Sequence, residues 1–595
     1  MHGRAGLLRR IAGPLLLTGS ALLLLARTWK TWPDVVSDTG RELYQAWRLS
    51  EGDVLYRDVA HFNGPLSPYL DALWFRLAGV GFTQQVLADL LVVVALLVLI
   101  VRGGRALTDR FTAIAGGLVF LCIFVFGPLT PGGSFGYLAP YSHEMTHGAL
   151  LLLLLLACIA WDLRAGGRRP PLAAGILLGL LFLTKPELWI AGAAGAGFAY
   201  LAARRLRALP WLACGTLLPP LLAWALLASA MPAGKAARGA SGAWHYLGNS
   251  ALVGMPYFKM FLGTWQPVAS LAALASWSVV WTVVLGTLWL VARAVGARST
   301  GAVAATCAAL LAAAALLAAL HRSIPWVEAM RPLPLFLLGL VGVELRRLRR
   351  ERTAEERSRA VLRGALAILS GALLLKMVLY ARVWHYGFVL GMPGTLTVVA
   401  ALLCWIPAGS AGRGRASLVF RTGGAGLLAA VLVGHLALME DERRAKTVRV
   451  GHGTDALWAD AERGPVMEAA RARIEALVPR EGTLAVLPDG VMLSYLTRRR
   501  NATPYIIANP ADMAMFGEGE MLDAYLASPP DWIALVACDT TIYGFPYFGR
   551  DYAQAFAAWI DRGYALAEVI GAPPFTGRGF GVALLRRRSA REVAQ

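Results

Sequence analysis

The sequence predicts an α-helical polytopic membrane protein with a soluble α/β domain at its C-terminal end. Three observations predict it. The 595 residues are 57% hydrophobic and 16% charged, with a mean hydropathy of +0.55, a composition that neither soluble globular domains nor disordered chains reach. Apolar runs of bilayer length recur from the N-terminal end to about residue 438 and then stop. The short links between them are arginine-rich at every second turn.

The apolar runs fall at 11–27, 84–101, 111–128, 148–163, 171–184, 188–203, 209–230, 268–292, 302–320, 333–345, 361–380, 387–407 and 420–438, which gives about thirteen spans. The first follows Arg9 and Arg10 and lacks a small-x-small cleavage site before Trp29, so it is expected to be an uncleaved anchor. With the N-terminus cytoplasmic, the links RGGRALTDR, DLRAGGRRP, ARRLRALP, ARAVGARST, ELRRLRRERTAEERSR and GSAGRGR lie inside. The opposite links, 28–83, 129–147, 231–267, 321–332 and 381–386, are mostly longer and richer in aromatic and turn residues. That asymmetry obeys the positive-inside rule. An odd number of spans then sends everything after residue 438 outside. The expected organisation is a membrane part, 1–438, and an extracytoplasmic domain, 439–595.

From residue 440 onward the material changes. ARARIEALV reads as helix and TLAVLP as strand, and VMLSYL, PYIIAN, MLDAYLAS, WIALVAC, YAQAFAAWI and FGVALLRR continue the alternation, as in a small α/β domain. It holds no GxGxxG or P-loop pattern. The net charge of +20 is explained by topology rather than by nucleic acid, because its arginines sit in membrane links. The six cysteines are solitary and most lie in or beside apolar runs, where a free thiol acts as a small hydrophobe.

The densest polar stretch is SDTGRELYQAWRLSEGDVLYRDVAHFNGPLSPYLDAL, residues 37–73, directly after the first span. Charge beside a bilayer is costly unless something uses it. Asp38, Arg41 and Glu42 are spaced i, i+3 and i+4, so a helix would set all three on one face. A carboxylate beside a cation suits transfer of a sugar to a hydroxyl with a phosphate leaving: the acid takes the acceptor's proton and the cation holds the departing anion. Cations available outside are Arg41, Lys185, Arg322, Arg331 and Arg382. Lys185 stands in TKPE, a tight turn between two apolar runs, from which it could reach a lipid phosphate.

A second pattern, His143-Glu144-Met145-Thr146-His147, is a literal HExxH at the external start of the fourth span. On a helix its two histidines could bind zinc while Glu144 activates water, although no third ligand is evident. His143, Glu144 and His147 are therefore the candidate metal ligands, and a divalent ion is left open as a cofactor.

The order D-x-G-R-E-L-Y, G-D-V-L-Y-R-D, N-G-P-L-x-x-Y-L after the first span resembles the first external loop of the GT-C glycosyltransferases, such as the protein O-mannosyltransferases and the lipid A aminoarabinose transferase. LTKPELWI (183–190) and RVWHYGFVLGMP (382–393) resemble segments of bacterial relatives. The resemblance implies a GT-C fold and an inverting enzyme that takes a sugar from a polyprenyl-phosphate donor outside the membrane. It implies Asp38 as the base, with Asp58 and Glu144 as further catalytic acids. Arg41, Lys185 and Arg382 become the donor-phosphate ligands. Glu42, His61, Tyr141, His385 and Tyr386 become substrate contacts. The protein mannosyltransferases carry an Asp-Glu pair where Asp38 is followed by Thr39, which keeps Asp34, Glu42 and Asp58 as competitors for the base. The implied partners are the lipid-linked sugar and membrane lipids; the acceptor is a lipid, glycan or protein. Two other classes stay open: a zinc protease using the HEMTH segment, and a transporter.

Overall fold

The computed structural model describes residues 2–127, 133–350, 353–409 and 414–589. Part of the external link 129–147, most of GSAGRGR and two residues of the link 344–359 lie outside the described residues. Every expected span coincides with a helix or a run of joined helical segments. Among the described residues, nine helices are long and apolar enough to cross a membrane, from Ile11–Thr28 to Arg415–Ala445. Arg110–Val125 and Arg169–Phe182 are shorter apolar helices. Leu333–Arg350 ends in an arginine-rich turn. Leucines 217, 218, 221 and 222 of the helix Leu209–Ala228 are exposed, as a lipid-facing surface requires. The protein is an integral membrane protein.

Small residues set the closest helix crossing. Arg169–Phe182 packs on Leu209–Ala228, and a Cβ on Gly175 would stand 2.1 Å from the Leu212 carbonyl oxygen. Backbone meets backbone there, the usual way membrane helices gain packing without a hydrophobic driving force.

Two helices in the segment after the first span are not spans. Thr39–Ser50 is amphipathic, and ten of its twelve residues are buried. Leu66–Ala78 packs against it. The last long helix continues to Ala445 and runs straight into a strand. That strand, β1 (Lys446–Val450), pairs antiparallel with β2 (Leu457–Asp460). A separate sheet is built from β3 (Leu484–Leu487), β4 (Trp532–Val536), β5 (Tyr564–Gly571) and β6 (Gly581–Arg587), in the order β3-β4-β6-β5. β3 and β4 are parallel and the other pairs antiparallel. The β3 residues are buried throughout, matching the continuous apolar run read there. β1, β2 and β5 escaped the sequence reading, because β5 alternates only weakly and the β1–β2 pair is short.

The C-terminal sheet domain is clamped onto the segment after the first span. Asp455 accepts from the Phe82 backbone N–H at 2.9 Å. Arg463 pairs with Asp34 at 2.9 Å, Arg500 with Glu51 at 2.8 Å, and Tyr44 accepts from the Asn501 N–H at 2.8 Å. A Cβ on Gly40 would lie 2.3 Å from the Met492 nitrogen. Any side chain at position 40 would push the two parts apart.

Candidate active site

Asp38 sits in the last turn before the helix Thr39–Ser50. Its φ of 65° and ψ of −79°, with the Thr39 N–H bonded to the Ser37 carbonyl at 2.9 Å, form a three-residue turn of the strained hand. Strain of this kind is retained where surrounding structure enforces it. Here the enforcing contact is the Ser134 N–H, which donates to Asp38 Oδ2 at 3.1 Å. Burial pushes the Asp38 carboxyl up to about 6, with Arg41 and the Ser134 bond opposing. Burial disfavours the Arg41 charge, but Glu42 and Asp38 beside it hold the guanidinium above its ordinary value.

The loop 133–142 gathers the remaining polar groups. Arg41 Nη2 donates to the Tyr141 carbonyl at 2.7 Å. Lys185 Nζ donates to the Tyr141 hydroxyl at 3.3 Å and stands 4.6 Å over its ring. Burial lowers Lys185 to about 8, helped by the neighbouring charge of Lys376. His385, itself at φ 53°, is sandwiched between Phe135 and Phe261, each 3.8 Å away by ring centres. The Tyr386 hydroxyl meets that of Tyr257 at 2.9 Å. One short loop therefore ties Asp38, Arg41, Lys185, His385 and Tyr386 into a single constellation.

Immediately beneath, His143 is held among carboxylates. Its Nδ1 faces Glu42 at 3.1 Å and Asp71 at 3.2 Å. Its Nε2 faces Asp89 at 3.1 Å and the Gln85 amide at 2.9 Å. An imidazole with carboxylates at both ring nitrogens and an amide nitrogen at Nε2 is the hub of this cluster. Glu42, Asp71 and His143 are the one group among the described residues with three ligand-type atoms within 4.8 Å of one another.

The HEMTH residues do not converge on one point. Glu144 turns away from His143 to bond His61 Nε2 at 2.9 Å and the Ser142 hydroxyl at 2.5 Å. His147 Nδ1 bonds Ser67 at 2.9 Å. The expected ligand trio is thus drawn to three separate sets of partners, Glu42, Asp71, Asp89 and Gln85 for His143, His61 and Ser142 for Glu144, and Ser67 for His147.

Two other expected residues stand apart. Asp58 lies on a turn, bonded to Arg57 and the Val54 N–H, with no contact to the Asp38 constellation. Arg382 is fully buried and donates to the carbonyls of Phe261 and Tyr380, with its guanidinium over both of those rings. Its Nη1 is spent on those carbonyls, which locks the chain around His385, while its Nε is buried with no hydrogen-bond partner among the described residues. Of the other cations, Arg322 pairs with Asp441, and Arg331 with Glu328 and the Leu379 carbonyl.

The fold has counterparts of known structure. An oligosaccharyltransferase of Archaeoglobus fulgidus, solved tethered to an acceptor peptide containing the NVT sequon via a disulfide bond, matches with a TM-score of 0.50 at 13% identity, over 97% of this chain and 74% of that one. The chain has the GT-C fold. ArnT of Cupriavidus metallidurans, solved bound to undecaprenyl phosphate, aligns over 98% of this chain and 99% of its own at 14% identity and a TM-score of 0.46. No family model matches the sequence, and neither does any curated protein.

Within the GT-C frame, the structure adds residues that sequence reasoning missed. Asp89 lies inside the span Phe82–Leu107 and Lys376 inside Ala354–Met377. Lys376 pairs with Glu187 at 2.7 Å and stands 4.8 Å over the Tyr386 ring. A charge inside a span is a functional signal by itself, and these two were legible on that ground. Tyr257, Tyr543, Asp489 and Asp512 come from distant links and the C-terminal domain, and only the fold brings them here.

Proposed function

We propose that this chain is an integral-membrane glycosyltransferase that moves a sugar from a polyprenyl-phosphate donor to an acceptor at the extracytoplasmic face, inverting the anomeric centre. The observation that carries the reading is the convergence of Asp38, Arg41 and Lys185 on the loop 133–142. A strained, buried carboxylate next to two fixed cations is suited to a reaction in which a hydroxyl loses a proton while a phosphate departs. Asp38 accepts that proton. Arg41 and Lys185 hold the phosphate, with Lys376 behind them in the part assigned to Arg382 on sequence grounds. Glu42, clamped by His143 and Arg41, orients the helix face. Glu144, fixed by His61 and Ser142, orients the segment 61–64 and thereby the acceptor side.

A second support is an apolar cavity of about 430 Å³ lined by Trp281, Met330, Phe336, Trp384 and Leu428. Trp384, next in sequence to His385, lines it, and its apolar wall suits a prenyl chain. The shared fold with an oligosaccharyltransferase agrees with a membrane glycosyltransferase. The arginine-rich links favour a cytoplasmic N-terminus and an outside C-terminal domain, and we divide the chain into 1–438 and 439–595 on that basis. The dispersal of Glu144 and His147 argues against a zinc protease.

The test is to incubate purified protein in lipid nanodiscs with a panel of polyprenyl-phosphate sugars and follow released polyprenyl phosphate by mass spectrometry. Release from at least one donor, dependent on an added membrane or glycan acceptor fraction, supports the proposal. No release from any donor under conditions where the donor binds would refute it.

A further inference from the structure

A second apolar cavity lies at the other end of the spans from the constellation around Asp38. It holds about 520 Å³ between the last turns of the helices Phe82–Leu107 and His143–Ala165, with Leu366, Leu396 and Trp405 completing its wall. The opening turns of those same two helices carry Asp89 and His143, which meet at 3.1 Å. From His143 to Arg164 a helix rises about 32 Å at 1.5 Å per residue, which is the thickness of the hydrocarbon layer. The cavity therefore serves the leaflet opposite the transfer site. Small residues hollow it: Gly103 and Gly104 on one helix, Ala157 and Ala160 on the other. Arg102, Gly103 and Ala106 line it and are exposed, so it opens at the protein surface. Its volume falls in the range of small-ligand pockets, about 300–1,000 Å³.

We propose that this cavity holds an anionic phospholipid, with acyl chain in the apolar part and the phosphate held by Arg102 and Arg164. This site is independent of the proposed transfer reaction. Arg102 and Arg164 both line the cavity, and no acid does. Neither arginine has a hydrogen-bond or ion-pair partner among the described residues. The acid closest in sequence to the lining, Asp109, is already paired with Arg421 at 2.9 Å. A third cation stands beside the same wall. Arg363 Nη2 donates to the Leu107 carbonyl at 3.1 Å, and its guanidinium lies 4.8 Å over the ring of Trp405, which donates to that carbonyl at 3.0 Å. Leu107 and Trp405 are both lining residues. Arg363 Nε is buried with no hydrogen-bond partner among the described residues. Snorkelling would send each of these guanidinium groups to water; it does not account for a buried, unused donor. A guanidinium fork matches phosphate oxygens, and basic pockets between membrane helices take anionic headgroups. A zwitterionic lipid offers the same phosphate but brings its own ammonium among three cations, so a net negative headgroup fits better.

The experiment is native mass spectrometry of the full-length protein, delipidated in detergent and titrated with phosphatidylglycerol or with phosphatidylcholine of the same chains. Wild type should hold one phosphatidylglycerol at least about tenfold more tightly than phosphatidylcholine. Arg102→Gln combined with Arg164→Gln should bring the two lipids within about threefold of each other. A Cβ at Gly103 meets nothing within 4 Å, so Gly103→Leu can enter the cavity without a clash there and should weaken both lipids. Equal affinities in wild type, an unchanged preference in the double variant, or unchanged binding in Gly103→Leu overturns the proposal. Where a variant does not fold, wild type decides: phosphatidylglycerol with a diazirine on its acyl chain should label 99–116 or 153–164. Labelling confined to other segments, such as the walls of the cavity around Trp281 and Trp384, overturns the proposal.

Discussion

The backbone N–H of Ser134 donates to Oδ2 of Asp38 at 3.1 Å, across 96 positions of sequence. This bond explains how a carboxylate at a φ of 65° keeps one orientation, and it joins the segment after the first span to the loop that carries Tyr141. The next residue, Thr39, adds a 2.8 Å hydroxyl contact to the Ser134 side chain. The centre and the second end of the strained turn are therefore pinned to the same residue.

The first consequence concerns pH. A base must be ionised to accept a proton, and burial places the Asp38 carboxyl at about 6. A raised carboxyl loses its charge as pH falls through that value, so the reaction should be flat from neutrality up to about pH 8, where Lys185 begins to lose the charge that holds the phosphate. Below about 6, kcat/KM should fall about tenfold per pH unit, as for loss of one essential anion. A profile still flat at pH 5 would exclude Asp38 as the base.

The HEMTH segment separates two enzyme classes. Glu144 bonds His61 and Ser142, so Glu144→Gln should strongly impair transfer by releasing the 61–64 segment. His147 holds only Ser67 through Nδ1, and His147→Ala should be tolerated within about tenfold, or ~1.4 kcal/mol. Equal and complete loss in both variants, with peptide hydrolysis in the wild type, would favour the protease instead.

Lys185 tests the phosphate end. Its ammonium has one modest partner, the Tyr141 hydroxyl at 3.3 Å, which leaves donor capacity for a ligand. Lys185→Met should raise the donor KM about tenfold or more, since a charge-assisted bond is worth roughly 1.5–3 kcal/mol. Donor binding by isothermal calorimetry or lipid mass spectrometry in nanodiscs measures this directly. An unchanged donor affinity would move the phosphate elsewhere.

Topology is tested by labelling. In an otherwise cysteine-free protein, Ser528→Cys on the C-terminal domain should react with an impermeant maleimide added outside, and Arg349→Cys should not. Both positions are exposed, so accessibility does not confuse the result. The opposite pattern would reverse the sidedness of the site.

How much of this was legible in the sequence follows from what each signal depends on. The spans were readable because hydropathy is a local property, and Ile11–Thr28 or Thr300–Ala319 need no tertiary partner to be recognised. Asp38, Arg41 and Glu42 were readable as a helical face because i, i+3 and i+4 spacing is local as well. Their division of labour was not: Arg41 reaches Tyr141 and Glu42 reaches His143 through contacts spanning about a hundred residues. The partners of the HEMTH side chains were hidden for the same reason, since Ser67 and His61 bond them from outside the motif. Arg382 was read as a phosphate ligand, and a lone arginine next to His385 gives no sign of the two carbonyls and three rings that surround it. Asp489 and Tyr543 were invisible because the docking of the C-terminal domain, set by Gly40 against Met492, is not written in either segment alone.

The central claim is that Asp38 removes the acceptor's proton. The most direct measurement is the transfer rate of Asp38→Asn against wild type, with donor binding measured on the same preparations. The account predicts a loss of about a hundred- to ten-thousand-fold in kcat while donor affinity stays within a few-fold. A rate within a few-fold of wild type in Asp38→Asn, with Asp58→Asn or Glu42→Gln inactive instead, would contradict it.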